Sequence, residues 1–129
     1  EARNYFAGKS LFRRFDPECL DAYVSHGLQA GTQGVRLKFD PATEISIYRS
    51  VPHTAPGRPQ QLAVPLAMVR GRHSRVVLPH HARLLKRMPR AEYHHLPGGH
   101  MFPLERPQAT AELLRQLFSR WAGHQEQDA

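Results

Sequence analysis

The residues best suited to chemistry lie in one run, Leu96-Pro97-Gly98-Gly99-His100-Met101-Phe102-Pro103-Leu104-Glu105-Arg106-Pro107. An apolar stretch ends, two glycines permit a tight turn with backbone angles that other residues avoid, and a histidine follows. An imidazole titrates near neutrality, so a histidine held there can take a proton from a reacting group and return it. If the preceding stretch is a strand of an open α/β sheet, His100 stands at its C-terminal edge, where ligands bind in such folds. Other candidates are weaker. His94-His95 and His80-His81 suggest a metal, but adjacent strand residues point to opposite faces. The chain has neither a Cys pair nor a His-Glu-x-x-His, so no metal site and no cofactor are expected. Gly8-Lys9-Ser10 is like the end of a phosphate-binding loop, but the glycine required upstream is replaced by Arg3. Cys19 has no partner at a nucleophile's spacing and reads as a small, partly buried residue.

The elements that must position His100 can be read from punctuation and periodicity. Residues 1–15 mix aromatic and basic side chains, with Tyr5, Phe6, Leu11, Phe12 and Phe15 as apolar contacts. Asp16-Pro17 opens a helix, because Asp can cap free N–H groups and Pro suits the first helical position. Leu20, Tyr23 and Val24 form its apolar stripe, and Gly27 stops it. Residues 30–34 read as a turn-rich link. Val35, Leu37 and Phe39 alternate with polar residues, as in a short strand or extended arm. Asp40-Pro41 opens a second helix running to about Arg49, with Ile45, Ile47 and Tyr48 on its apolar side; residues 51–61, with Pro52, Pro56, Gly57 and Pro59, form a loop.

The second half alternates. Residues 62–69 are apolar on both faces, as in an interior strand of a parallel sheet, and Gly71 breaks them. A helix from Pro79 to Met88, a strand from Ala91 to Leu96, the His100 loop and a helix from about Pro107 to Trp121 follow. Leu113, Leu114, Leu117, Phe118 and Trp121 share one side of the last helix, where Phe118 and Trp121 are expected to pack on the sheet. This order predicts an α/β layer with parallel strands. Two or three strands cannot make a covered parallel sheet, so further neighbours are expected from outside this chain.

The net charge of +7 is concentrated. Residues 70–90 hold seven Arg or Lys and no Asp or Glu, while the remaining eleven basic and eleven acidic side chains cancel. Such a block could bind a polyanion. However, Arg83, Lys86, Arg87 and Arg90 fall at helical spacing, as on a solvated outer face, and no aromatic interleaves with them. No nucleic-acid partner is expected. No window approaches the roughly eighteen apolar residues of a membrane span, and Glu1-Ala2-Arg3-Asn4 shows no targeting pattern. The single cysteine excludes an internal disulfide, so the expected location is cytoplasmic.

Gly98-Gly99-His100-Met101, followed by Pro103, Glu105, Pro107 and an amphipathic helix, resembles the C-terminal part of the α/β-hydrolase family. Residues 64–79, Val-Pro-Leu-Ala-Met-Val-Arg-Gly-Arg-His-Ser-Arg-Val-Val-Leu-Pro, resemble that fold's penultimate core strand and the loop after it. The resemblance implies a division into a helical cap remnant (1–34), a connection back to the core (35–61), C-terminal core strands and helices (62–122) and a tail (123–129). Capped esterase-like and epoxide-hydrolase-like branches have the nearest layout. It also implies that His100 is the catalytic base of a nucleophile–His–acid triad, with Ser74, Met101 and Gly99 supporting the site.

Two parts of that triad are missing. No Gly-x-Ser-x-Gly elbow exists; Gly8-Lys9-Ser10-Leu11-Phe12 lacks the second glycine. Where family members often carry the acid, this chain has Ser74, which reads first as a polar loop residue and second as a supporting hydrogen-bond partner near the site. Asp40 and Glu44 are weaker acid candidates, Asp40 being better explained as a cap. The nucleophile, and with it the acid, is therefore expected upstream of residue 1, and the isolated chain is expected to be inactive. The expected whole is a hydrolase of an ester or similar small apolar substrate, its partners being that substrate and either the rest of the fold or a self-association partner. Phe6, Phe12, Phe15 and Tyr23 would either line an apolar pocket or hold the cap together. The alternative is a non-catalytic binding or interaction protein of the same fold.

Overall fold

The computed structural model describes residues 1–32, 34–50, 64–78, 80, 85, 88 and 90–125. The chain forms two compact units, Glu1–Arg13 with Pro17–Gly57, and Arg14–Asp16 with Arg58–Ala129.

The first unit contains α1 (Ala2–Ala7), a 3-10 turn at Phe12–Arg14 that runs into the boundary, α2 (Pro17–Gly27), β1 (Leu28–Gly31), β2 (Gly34–Leu37) and α3 (Pro41–Ser50). Helix α2 begins and ends where Pro17 and Gly27 predict, and it buries Leu20. Asp40 caps α3, its Oδ1 accepting the Ala42 N–H at 2.9 Å. Three rings, Phe6, Phe12 and Tyr23, pack edge-on or tilted with centroids 4.8–5.4 Å apart. Phe12 and Tyr23 thus hold the unit together, whereas Phe6 also lines a groove of ≈ 650 Å³ with Tyr5, Leu28, Val35 and Leu37.

Residues 2–7, for which no element was expected, are helical without a side-chain cap. One expectation for this unit is corrected. Residues 28–31, expected partly as a link, are a strand: β1 pairs antiparallel with β2 from Leu28↔Leu37 to Gly31↔Gly34. Backbone pairing across the turn wins over local composition there. The apolar side expected for α3 is uncovered, with Ile45, Ile47 and Tyr48 all more than half exposed.

The second unit carries β3 (Leu66–Gly71), β4 (Ala91–Leu96), α4 (Phe102–Glu105) and α5 (Pro107–Gln125). Strands β3 and β4 are parallel, as the alternation predicts, in register from Leu66↔Ala91 to Gly71↔Leu96. The strand starts later than its apolar run: Val64 and Pro65 precede it, and proline has no N–H for the ladder. Gly71 is the strand's last paired residue rather than its breaker. Residues 66–70 are half-buried, not buried on both faces, because the sheet has two strands among the described residues. Phe15, Leu85, Met88 and Leu117 are buried here. The expected helix at 79–88, its basic face at Arg83, Lys86 and Arg87, the loop at 51–61 and residues 62–63 lie outside the described residues in whole or in large part.

Helix α5 follows its apolar stripe only in part. Leu117 is 1% exposed, but Phe118 is 59% exposed and meets Trp121 edge-on, so the expected packing of Phe118 on the sheet does not occur within these residues. The Arg120 guanidinium donates to both oxygens of Glu92 on β4, at 2.8 and 3.0 Å. These bonds, helped by His94 at 2.9 Å, hold the Glu92 carboxyl below the usual glutamate range against the opposing effect of burial. Among the described residues, no helix is long and apolar enough to cross a membrane.

Candidate functional site

The parallel pairing brings two loops together at the C-terminal ends of β3 and β4. The loop after β3 extends the pairing past the strands: Arg72 N–H donates to Leu96 O and His73 N–H to Gly98 O, each at 2.9 Å. Arg70 then turns back, donating through Nη2 to Ser74 O at 2.9 Å and through Nε to Val77 O. This residue, part of the basic block in sequence, braces the loop through two main-chain carbonyls.

Three glycines let the loops touch. A Cβ on Gly71 would lie 1.8 Å from Gly99 O and 2.8 Å from Gly98 O, so no side chain fits where the strand passes under the turn. Gly98 has φ +118°, in the region that other residues avoid. Glu105, in α4, fills the inside of the turn. Its carboxylate is buried, and Oε2 accepts the Gly99 N–H at 2.8 Å. Leu104 N–H and Glu105 N–H both donate to Met101 O, which starts the short helix. Leu104 O accepts the Asp16 N–H at 2.8 Å, fastening the 14–16 segment to this unit.

His100 stands exposed on this framework, next to Met101 at the N-cap of α4. Ser74 is buried at 4% exposure, and its Oγ lies 3.5 Å from His100 Nδ1, the outer limit of a hydrogen bond. The same oxygen accepts the N–H groups of Val76 and Val77, at 3.3 Å each. With both lone pairs engaged, what Ser74 can offer His100 is its hydroxyl proton. At 3.5 Å this contact does not set which ring nitrogen carries the proton. A general base needs Nε2 bare and Nδ1–H held by an acid. A cavity of ≈ 480 Å³ lies on the Glu105 side of the turn, lined by Arg14, His73, Pro97, Gly98, Glu105 and Arg106.

The structure therefore gathers His100, Ser74, Gly99 and Met101 at one edge. Asp40 and Glu44 belong to the other unit, where Asp40 acts as a helix cap. His94 and His95 differ in environment, His94 meeting Glu92 and His95 the Tyr93 ring. Among the described residues no group of three His, Cys, Asp or Glu could hold a metal ion. Sequence reasoning read Gly71 only as a strand breaker and Glu105 only as part of a motif, and gave Arg70 no role at the site. Glu105 lies within the quoted motif, and its separation from Gly99 is the one local signal that could have marked it.

No protein-family model matches the chain, and no curated protein matches it in sequence. Among solved structures it is similar to a thioesterase domain from the curacin biosynthetic pathway, with a TM-score of 0.68 and 20% identity. The match covers 87% of this chain and 42% of that one, so this chain spans less than half the length of its neighbour. At that identity the likeness concerns the fold alone, a mixed α/β arrangement.

Proposed function

We propose that this chain is the histidine-bearing C-terminal portion of an α/β-fold hydrolase, with residues 1–34 as a cap remnant and a nucleophile upstream of residue 1. The observation that carries this reading is an exposed His100 at the C-terminal edge of two parallel strands, on a turn locked from both sides. Such an edge is where α/β folds bind ligands. His100 takes the proton of a nucleophile as it attacks an acyl carbonyl, then delivers it to the leaving group; water repeats the cycle on the acyl-enzyme. The fold likeness to a thioesterase domain favours a thioester or oxygen ester of a small apolar acyl group. An acid outside this chain would hold Nδ1–H and leave Nε2 bare to act as the base.

One observation favours a second reading, a non-catalytic binding protein. A neutral hydroxyl occupies the place beside Nδ1 and cannot stabilise an imidazolium.

Hydrolysis of p-nitrophenyl butyrate and a butyryl thioester by the full-length protein separates the two readings. His100→Ala should lower kcat by about a thousandfold or more, while Ser74→Ala should leave it nearly unchanged. Turnover unaffected by His100→Ala would remove His100 from the mechanism. No turnover by the wild type, with no labelling by a fluorophosphonate, would favour the binding protein.

A further inference from the structure

We infer that Glu105 is the positioning residue for His100, an inference that rests on the catalytic reading of that histidine. Three observations converge on it. First, Glu105 is 7% exposed, and its carboxylate accepts the N–H of Gly99, the residue immediately before His100, at 2.8 Å. This bond fixes the peptide plane one residue ahead of the point where the imidazole leaves the backbone.

Second, the contact is built on both sides. A Cβ on Gly98 would lie 2.8 Å from Oε2, and one on Gly99 would lie 2.8 Å from Oε1. Both glycine α-carbons therefore rest directly against the carboxylate, which fills the space that their side chains would take. A glycine pair is the most mobile dipeptide a turn can contain, and its freedom must be removed if the next residue is to hold one orientation. The carboxylate does this from inside the turn, while Gly98 O is held from the opposite loop by the His73 N–H.

Third, the carboxylate is itself held by its backbone. Glu105 N–H donates to Met101 O at 3.1 Å, so the helical turn that follows His100 returns the side chain to the residue before it. The closed circuit runs Gly99, His100, Met101, Glu105 and back to Gly99. An acceptor oxygen is what this circuit needs. The Arg106 guanidinium donates to the Glu105 main-chain carbonyl at 3.1 Å.

The test compares Glu105→Gln with Glu105→Ala in the full-length protein, using p-nitrophenyl butyrate for turnover and hydrogen exchange of the Gly99 amide as a readout independent of activity. Glutamine keeps the shape and an acceptor oxygen; alanine keeps neither. Alanine should lower kcat by about a hundredfold with KM little changed, as a displaced catalytic group does, and glutamine should restore most of it. Gly99 exchange should quicken in alanine and stay slow in glutamine. Equal kcat loss in both variants, or a protected Gly99 amide in the alanine variant, would overturn the positioning role. If His100→Ala instead keeps wild-type turnover, the catalytic reading fails by itself, and the Gly99 exchange still decides whether Glu105 holds the turn.

Discussion

Gly34 and Gly98 have nearly the same backbone angle, φ +115° and +118°, yet they serve their turns differently. Around Gly34, in the β1–β2 hairpin, a side chain would meet nothing within 4 Å. Around Gly98 it would strike Glu105 and Phe102, and its neighbours Gly71 and Gly99 are closed in as well. In the first unit glycine supplies only a conformation. In the second it supplies a conformation and an absence of volume, because two loops and a buried carboxylate converge there. The surroundings agree with this contrast: β2 and α3 are exposed along their whole length, whereas the β3–β4 edge buries Gly71, Ser74 and Glu105. A turn can be made with permissive residues alone; holding a histidine in place takes contacts.

The largest expected effect is at Gly71. Alanine there puts a Cβ 1.8 Å from a main-chain oxygen that cannot rotate away, and overpacking of this kind should cost about 3 kcal/mol or more. Amide exchange across β3 and β4 should quicken while β1 and β2 stay unchanged. Protected β3–β4 amides in Gly71→Ala would mean that the loops do not pack as described.

Next comes the matched pair. Gly34→Ala should cost about 1–2 kcal/mol from backbone strain alone. Gly98→Ala should add a steric cost to the same strain, for a total of about 2–4 kcal/mol. Denaturation followed by a probe in each unit measures both, and equal losses would erase the contrast between open and closed turns.

The smallest effect concerns Arg120. Because the folded-state pKa of Glu92 is lowered, its contribution is complete above the unfolded glutamate range near ~4.3 and is lost as pH falls through the lower folded value. Arg120→Ala should therefore remove a few tenths of a kcal/mol at neutral pH and nothing at strongly acid pH, since the pair is partly exposed. Stability curves of the two proteins should converge on acidification. Curves that run parallel would show that Arg120 contributes packing rather than charge.

Local signals account for much of the fold. Asp-Pro pairs mark the starts of α2 and α3, a half-apolar run marks β4, and a spaced apolar stripe marks α5. Their information lies within a few neighbouring residues, as does the physics of capping and helical periodicity. β1 escaped this reading because its structure comes from pairing with β2, and α4 escaped because four residues are too few for a period. The same division runs through the site. Two glycines before a histidine at a strand's end are legible as a turn that presents an imidazole. Short-range spacing does not say that Ser74, twenty-six positions away, lies beside that ring; only the resemblance of residues 64–79 to a family's strand and loop pointed there.

From the chain itself, then, come the alternation of strand and helix, the presence of His100 after a permissive turn, and the lack of an elbow motif or a matching acid. These follow from residue type and short-range spacing. Only the tertiary structure decides that Gly71 is sterically required, that Arg70 braces a loop, and that Glu105 is turned inward onto Gly99. Each depends on the parallel register of β3 against β4, which brings distant residues to one edge, and contacts of that range are set by packing rather than by the order of the chain.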